Sequence, residues 1–244
     1  MERNENLYDY LSAYLELGED SISLLEEDID NDTQLEYFEC SKQNQNTDRI
    51  DEDTVIRNKD MIFDDSVSLD QKKIILVQLA SVSNVEAYRT IKNYLKNPNV
   101  KLFDWAYLAL QESRLLLESK LLEENKVLIT TGLGGKGNKL RYFIVFLSED
   151  GTPLTSLQQD IIKGELRFAF RKSGAEIEDI LFEEKFALVL GMVPITVPVQ
   201  KLFDKVLHEC NECGGFLFKD YIITNVRILS LDEINELLAV NNIF

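Results

Sequence analysis

Apolar and polar positions alternate along this chain with two different periods, and the change of period divides it into segments. Over residues 5–39 apolar side chains recur at helical spacing, through Leu7, Tyr10, Leu11, Tyr14 and Leu15 and then Ile22, Leu24 and Leu25. Gly18 interrupts the pattern, so it predicts two short amphipathic helices. The polar run from Ser41 to Thr47 has no apolar period and reads as a linker, which the acidic tract from Asp48 to Asp65 continues. From Leu69 to Ala80 the helical period returns in Ile74, Ile75, Val77 and Leu79, and Val85 to Leu95 repeats it with Tyr88, Ile91 and Tyr94. Asn97-Pro98-Asn99 marks a turn, and a third helix is predicted from about Leu102 through Trp105, Ala106 and Ala109 to Leu116 and Leu117.

The second half changes character. Lys126 to Thr131 reads as a short strand, followed by a glycine-rich connection and the continuous apolar run Tyr142 to Leu147, which Asp150-Gly151 ends. Thr155 with Gln158 three residues on is a capping-box pattern for a helix to about Lys172, closed by Ser173-Gly174. Two further strands, Ile177 to Phe182 and Phe186 to Leu190, are joined tightly through Glu183-Glu184-Lys185. Pro198 opens a second helix, Gly214-Gly215 ends it, Phe216 to Leu229 holds the last strand, and Leu231 to Leu238 is a short terminal helix.

The short helices joined by Asn/Pro turns over about residues 68–120, with the run Trp105-Ala106-Tyr107-Leu108-Ala109-Leu110, resemble one and a half HEAT-type repeats. That is too few for a free-standing solenoid, so these helices are expected to pack on the next domain. The order strand-helix-strand-strand-helix-strand after residue 123 is the split βαβ arrangement of ferredoxin-like domains. Its first and third strands are central, and here those two are the continuous apolar runs, while the second mixes Glu178 and Asp179 among its apolar residues as an edge strand does. The expected fold class is therefore α+β, with a HEAT-like helical pair and an antiparallel ferredoxin-like sheet carrying two helices on one face. The expected segments are an acidic one at 1–65, a helical one at 66–122 and an α+β domain at 123–244. The second sheet face would need covering, by the HEAT-like helices, a ligand or a partner subunit, so an oligomer could form there.

Charge sharpens this picture. The chain of 244 residues has a formal net charge of −17, and residues 1–65 hold 20 acids against five bases, while residues 66–244 hold 23 acids and 21 bases. Such acidity concentrated in one quarter disfavours nucleic acid and anionic membranes and suits contact with a basic protein partner. The first twenty residues are acidic rather than basic and apolar, no run reaches the length of a bilayer span, and three cysteines are too few for a disulfide framework. These features point to the cytoplasm.

Four features could carry chemistry. His208-x-Cys210-x-x-Cys213 resembles part of a metal site, but on a helix His208 and Cys210 point to opposite sides and Cys210 continues the apolar stripe. With a single histidine and no second cysteine pair, neither a tetrahedral metal site nor a metal cofactor is expected. The acids Asp28, Asp30, Asp32, Glu36 and Glu39 resemble an EF-hand loop, but Thr33 stands where that loop needs glycine. The strongest candidate is Gly132-Leu133-Gly134-Gly135-Lys136-Gly137-Asn138-Lys139 with Arg141. It lies in an acid-free run from Asn125 to Ser148, the one sizeable basic island of the chain. Gly132, Gly134, Gly135 and Gly137 permit backbone amides to converge on an anion, and Lys136, Lys139 and Arg141 add positive charge. The island can alternatively be a plain mobile hairpin loop, or dock the acidic N-terminal segment. Arg167, Arg171 and Lys172 on the first domain helix form either a solvated surface or an extension of the island.

No motif names a reaction and no cofactor fingerprint is present. The favoured function is a non-enzymatic protein-interaction or adaptor module. The alternatives are binding of a phosphorylated small molecule or RNA at the basic loop, with Tyr142, Phe143 and Phe146 as stacking aromatics, and an enzyme with a carboxylate site that the sequence does not reveal.

Overall fold

The computed structural model describes residues 22–46, 51–122 and 127–240. These fall into two compact units, residues 22–25 with 29–46, 51–122 and 127–130, and Glu26–Asp28 with 131–240. The helix expected over Leu7–Leu15 lies outside the described residues.

The first unit is helical. It contains β1 (Ile22–Leu24), α1 (Asn31–Asn46), α2 (Glu52–Asn58), a 3-10 turn (Lys59–Phe63), α3 (Leu69–Ser81), α4 (Val85–Tyr94), α5 (Phe103–Leu122) and β2 (Val127–Ile129). Helix α3 starts where Ser68 and Gln71 form a reciprocal capping box, and α4 where the Asn84 side chain accepts from the amides of Glu86 and Ala87. Their apolar stripes meet those of α1 and α5 in one core that includes Leu25, Ile29, Tyr37, Leu76, Leu79, Ile91, Leu102 and Trp105. The ring of Tyr37 stands edge-on to Trp105 at 5.2 Å between centroids, and the indole N–H donates to the carbonyl of Lys73 at 3.1 Å.

Three elements depart from the sequence expectation. The acidic tract from Asp48 to Asp65, expected to continue a linker, instead holds α2 and the 3-10 turn. Ile22–Leu24 is a strand, not a helix, and pairs in parallel with Val127–Ile129. The supposed linker from Ser41 is helical through Asn46, because α1 is anchored from its inner side. There the Tyr37 hydroxyl donates to Glu112 Oε2 at 2.5 Å and the Ser41 hydroxyl to Glu112 Oε1 at 2.7 Å. A polar stretch with weak helical period is thus held by tertiary hydrogen bonds.

The second unit is the α+β one. It contains β3 (Gly135–Lys136), β4 (Lys139–Ser148), α6 (Ser156–Ser173), β5 (Glu176–Glu183), β6 (Phe186–Pro194), α7 (Val199–Glu212), β7 (Leu217–Thr224) and α8 (Leu231–Val240). The main strands lie in the order β7-β4-β6-β5 and are antiparallel throughout, with β4 and β6 central, which is the split βαβ order. The short strand β3 pairs with the start of β4. Helix α6 opens at a Thr155/Gln158 capping box and closes at Gly174, whose φ of 72° is the left-handed conformation a helix stop uses.

Alternation along the central strands separates two cores. Ile144, Phe146, Ala187 and Val189 face α6 and α7 and pack with Ile162, Leu166, Phe170, Phe203 and Val206. Phe143, Val145, Leu147 and Phe186 face the other way and pack with Leu133 and with Ile234 and Leu238 of α8. The second sheet face is therefore covered in part by the chain's own terminal helix, which the sequence reading left to other occupants.

Candidate functional site

The glycine-rich segment is a hydrogen-bonded hairpin. Gly135–Lys136 pairs with Lys139–Leu140 through the turn Gly137-Asn138, and Gly132, Gly134 and Gly135 are buried. Gly134 has a φ of +64°, and a Cβ built there would lie 2.7 Å from the carbonyl oxygen of Glu26 and 2.8 Å from that of Glu27. Glycine is required on both counts, since the acidic stretch Glu26–Asp28 runs directly across this backbone.

Three of the amides that a backbone anion cradle could use are already donating. The Leu133 N–H bonds to the Asn225 carbonyl and the Gly134 N–H to the Thr131 carbonyl, while the Gly137 N–H points at Glu26 Oε1 at 3.4 Å. The cations are committed in the same way. Lys139 Nζ is 2.5 Å from Glu176 Oε1. Arg141 forks onto Glu178 at 2.5 and 3.0 Å, and its remaining nitrogen donates to the Leu133 carbonyl at 2.6 Å. Its hydrogen bond to Glu178 raises the affinity of Arg141 for its proton, with the charges of Glu178 and Asp28 adding to it. Lys139 holds Glu176 below the ordinary carboxylate range, chiefly by hydrogen bonding.

Both ion pairs lie on the α8 side of the sheet and straddle β6. Lys139 and Arg141 sit two apart on β4, Glu176 and Glu178 two apart on β5, and Met192 of β6 is in register with both Arg141 and Glu176. Sequence reasoning missed the two glutamates. The detectable signal was the matching spacing, a basic i, i+2 pair opening one strand and an acidic i, i+2 pair opening another. Lys136 is exposed and has no ion pair within 4 Å among the described residues. With Glu26, Asp28, Glu176 and Glu178 around Lys136, Lys139 and Arg141, the island is not electropositive as a whole.

The other candidates disperse. Arg167, Arg171 and Lys172 are exposed on α6, which covers the opposite sheet face from Lys139 and Arg141, so the fold does not join them to the island. Phe143 and Phe146 are buried on opposite faces of β4, and Tyr142 is partly buried, its hydroxyl pushed up to about 12 by desolvation. Cys210 is buried beneath α7, where burial and then Glu165 push its thiol up to about 12, whereas His208 and Cys213 are exposed. Asp30 caps α1 by accepting from the amide and hydroxyl of Thr33, and Asp32, Glu36 and Glu39 lie along that helix instead of around a loop. Among the described residues no group of three or more His, Cys, Asp or Glu side chains is placed to hold a metal ion, and no helix is long and apolar enough to cross a membrane.

No protein-family model matches the chain, and no curated protein matches it. Among solved structures it is similar to a Deinococcus radiodurans protein assigned as a transposase, at 13% identity and a TM-score of 0.35. That likeness covers 43% of this chain and 90% of the other. At that level it carries no inference about activity.

Proposed function

We propose that the chain is a protein-interaction module, its HEAT-like helices serving as a docking surface for a basic partner and its ferredoxin-like domain as a separate folded body. The observation that carries this reading is the segment around the 3-10 turn. Met61 and Phe63 are each 44% exposed there. Asp60, Asp64 and Asp65 are exposed beside them, as are Asp51, Glu52 and Asp53 at the start of α2. Apolar side chains left in water among like charges fit a partner that offers both cations and an apolar anchor. The basic hairpin supports the same conclusion from the other side, because three of its amides and two of its cations already serve the chain's own carboxylates and carbonyls. A phosphate-bearing ligand would have to displace them.

The test is affinity capture with the full chain and with Met61→Ser/Phe63→Ser. The expected result is a basic protein retained by the wild type, weakened as salt rises and lost with the double substitution. A rise in thermal midpoint with inorganic phosphate, a nucleotide or RNA that Lys136→Ala and Lys139→Ala abolish would overturn it in favour of the ligand reading. Turnover of a generic hydrolase or transferase substrate would overturn it in favour of an enzyme.

A further inference from the structure

The two helices that cover the first sheet face have outer surfaces of opposite character. That of α7 is polar, presenting Lys201, Asp204, Lys205, His208, Glu209 and Glu212. On α6, the side away from the core shows Leu157 at 72% and Phe168 at 50% exposure, and at its edge is half-buried Ile161, which also packs against the core. At 100° per residue these three and Gly164 fall in one stripe, opposite Ile162, Leu166 and Ala169. Gly164 sits at its centre, exposed, and a Cβ built there would meet nothing within 4 Å. Glycine weakens a helix interior relative to alanine, so nothing in the chain's own packing accounts for it. Close approach of another helix does, because the distance between packed helices is set by the side chains at the crossing.

We infer that this face of α6 docks on the same face of a second copy, antiparallel, with Gly164 against Gly164 at the two-fold axis. Charge and shape select that occupant. In this register Asp160 of one copy stands next to Arg167 of the other, and by symmetry the pair forms twice. Asp160 and Arg167 lie on the same flank of the stripe, as a two-fold contact requires. Ile161 then meets Phe168 of the second copy, and Leu157 lies under the aliphatic stem of its Arg171. Arg167 and Arg171 have no ion pair within 4 Å among the described residues, and Asp160 has only Lys163 at 3.9 Å. The α6 face belongs to the α+β unit and the acidic segment proposed to hold a basic partner to the helical one.

Sedimentation equilibrium of the full chain over a wide range of loading concentrations tests this. The expected result is a monomer–dimer equilibrium that Gly164→Gln weakens by about tenfold or more, since a long side chain at the axis separates the helices. Asp160→Arg and Arg167→Asp should each weaken the dimer, and the two together should restore it to within a few-fold of the wild type. Gly164→Ala serves as a folding control: it should raise the thermal midpoint of the monomer while weakening the dimer. A chain that stays monomeric at every concentration overturns the inference. So does a dimer indifferent to Gly164→Gln, or one that the double charge exchange fails to restore.

Discussion

Two glycines of the same hairpin separate backbone strain from steric exclusion. Gly134 and Gly137 have nearly equal positive φ, +64° and +60°, so an alanine at either must hold a left-handed backbone. That strain is worth about 1–2 kcal/mol. At Gly137 a Cβ meets nothing within 4 Å, and strain is the whole expected cost. At Gly134 the Cβ would also lie 2.7 and 2.8 Å from two main-chain oxygens of Glu26 and Glu27, and backbone cannot swing aside as a side-chain tip can. Overpacking of that kind adds about 1–3 kcal/mol, so Gly134→Ala should cost about 2–5 kcal/mol in all. Urea unfolding followed by circular dichroism is the appropriate measurement, because the single tryptophan, Trp105, belongs to the helical unit and its fluorescence would report on the wrong core. Amide exchange adds a local readout, with the Gly137 N–H losing protection in Gly134→Ala as Glu26 is displaced. Equal destabilisation by the two substitutions would refute the reasoning, since it would mean that Glu26–Asp28 does not rest on Gly134.

The remaining predictions concern charge. Arg141→Met leaves Glu178 partly desolvated without its fork and should cost about 1–3 kcal/mol of stability. The double variant Arg141→Met/Glu178→Met should recover most of that loss in the same denaturation assay; failure to recover would show that the pair is more than a latch between strands. Asp150 accepts from the Thr152 amide first, then from the Thr152 and Ser148 hydroxyls, which together lower its carboxyl to about 2. A depressed carboxylate contributes stability that is fully present above its unfolded value, 3.8, and is lost as pH falls through about 2. Asp150→Asn should therefore lower stability at neutral pH and flatten the acid limb between those two values, so that the two profiles converge at low pH.

Much of the α+β unit was legible because its local signals agree with one another. The Thr155/Gln158 capping box, the left-handed stop at Gly174, the two continuous apolar strands and the tight β5–β6 connection each point to the same order. What escaped the sequence depends on pairing over long separations. Three residues, Ile22–Leu24, have no period long enough to distinguish strand from helix, and only Val127–Ile129, far along the chain, decides the matter. The polar end of α1 looks like a linker until Glu112 is brought beside Tyr37 and Ser41. The terminal helix was visible as a helix, but nothing local told Ile234 and Leu238 which sheet face they would cover.

The basic island shows why charge composition along a chain is a weak guide to a site. An acid-free run inside an acidic protein looks like a place kept positive for a ligand. Strand topology changes that reading, because in the split βαβ order the first and second strands flank the third in the sheet, although only a helix separates them in sequence. Lys139 and Arg141 need acids two strands across, and Glu176 and Glu178 supply them from the edge strand over Met192, which is 6% exposed beneath the crossing. The same four charges then do two structural things at once. They lie over buried Met192, and they place charge at the edge strand, where an uncharged β5 would offer its free backbone to another chain. Segregating basic residues into one stretch and acidic residues into another is what the pairing of distant strands demands, and Lys136, exposed at the tip of the hairpin, is the cation of the island that this demand leaves over.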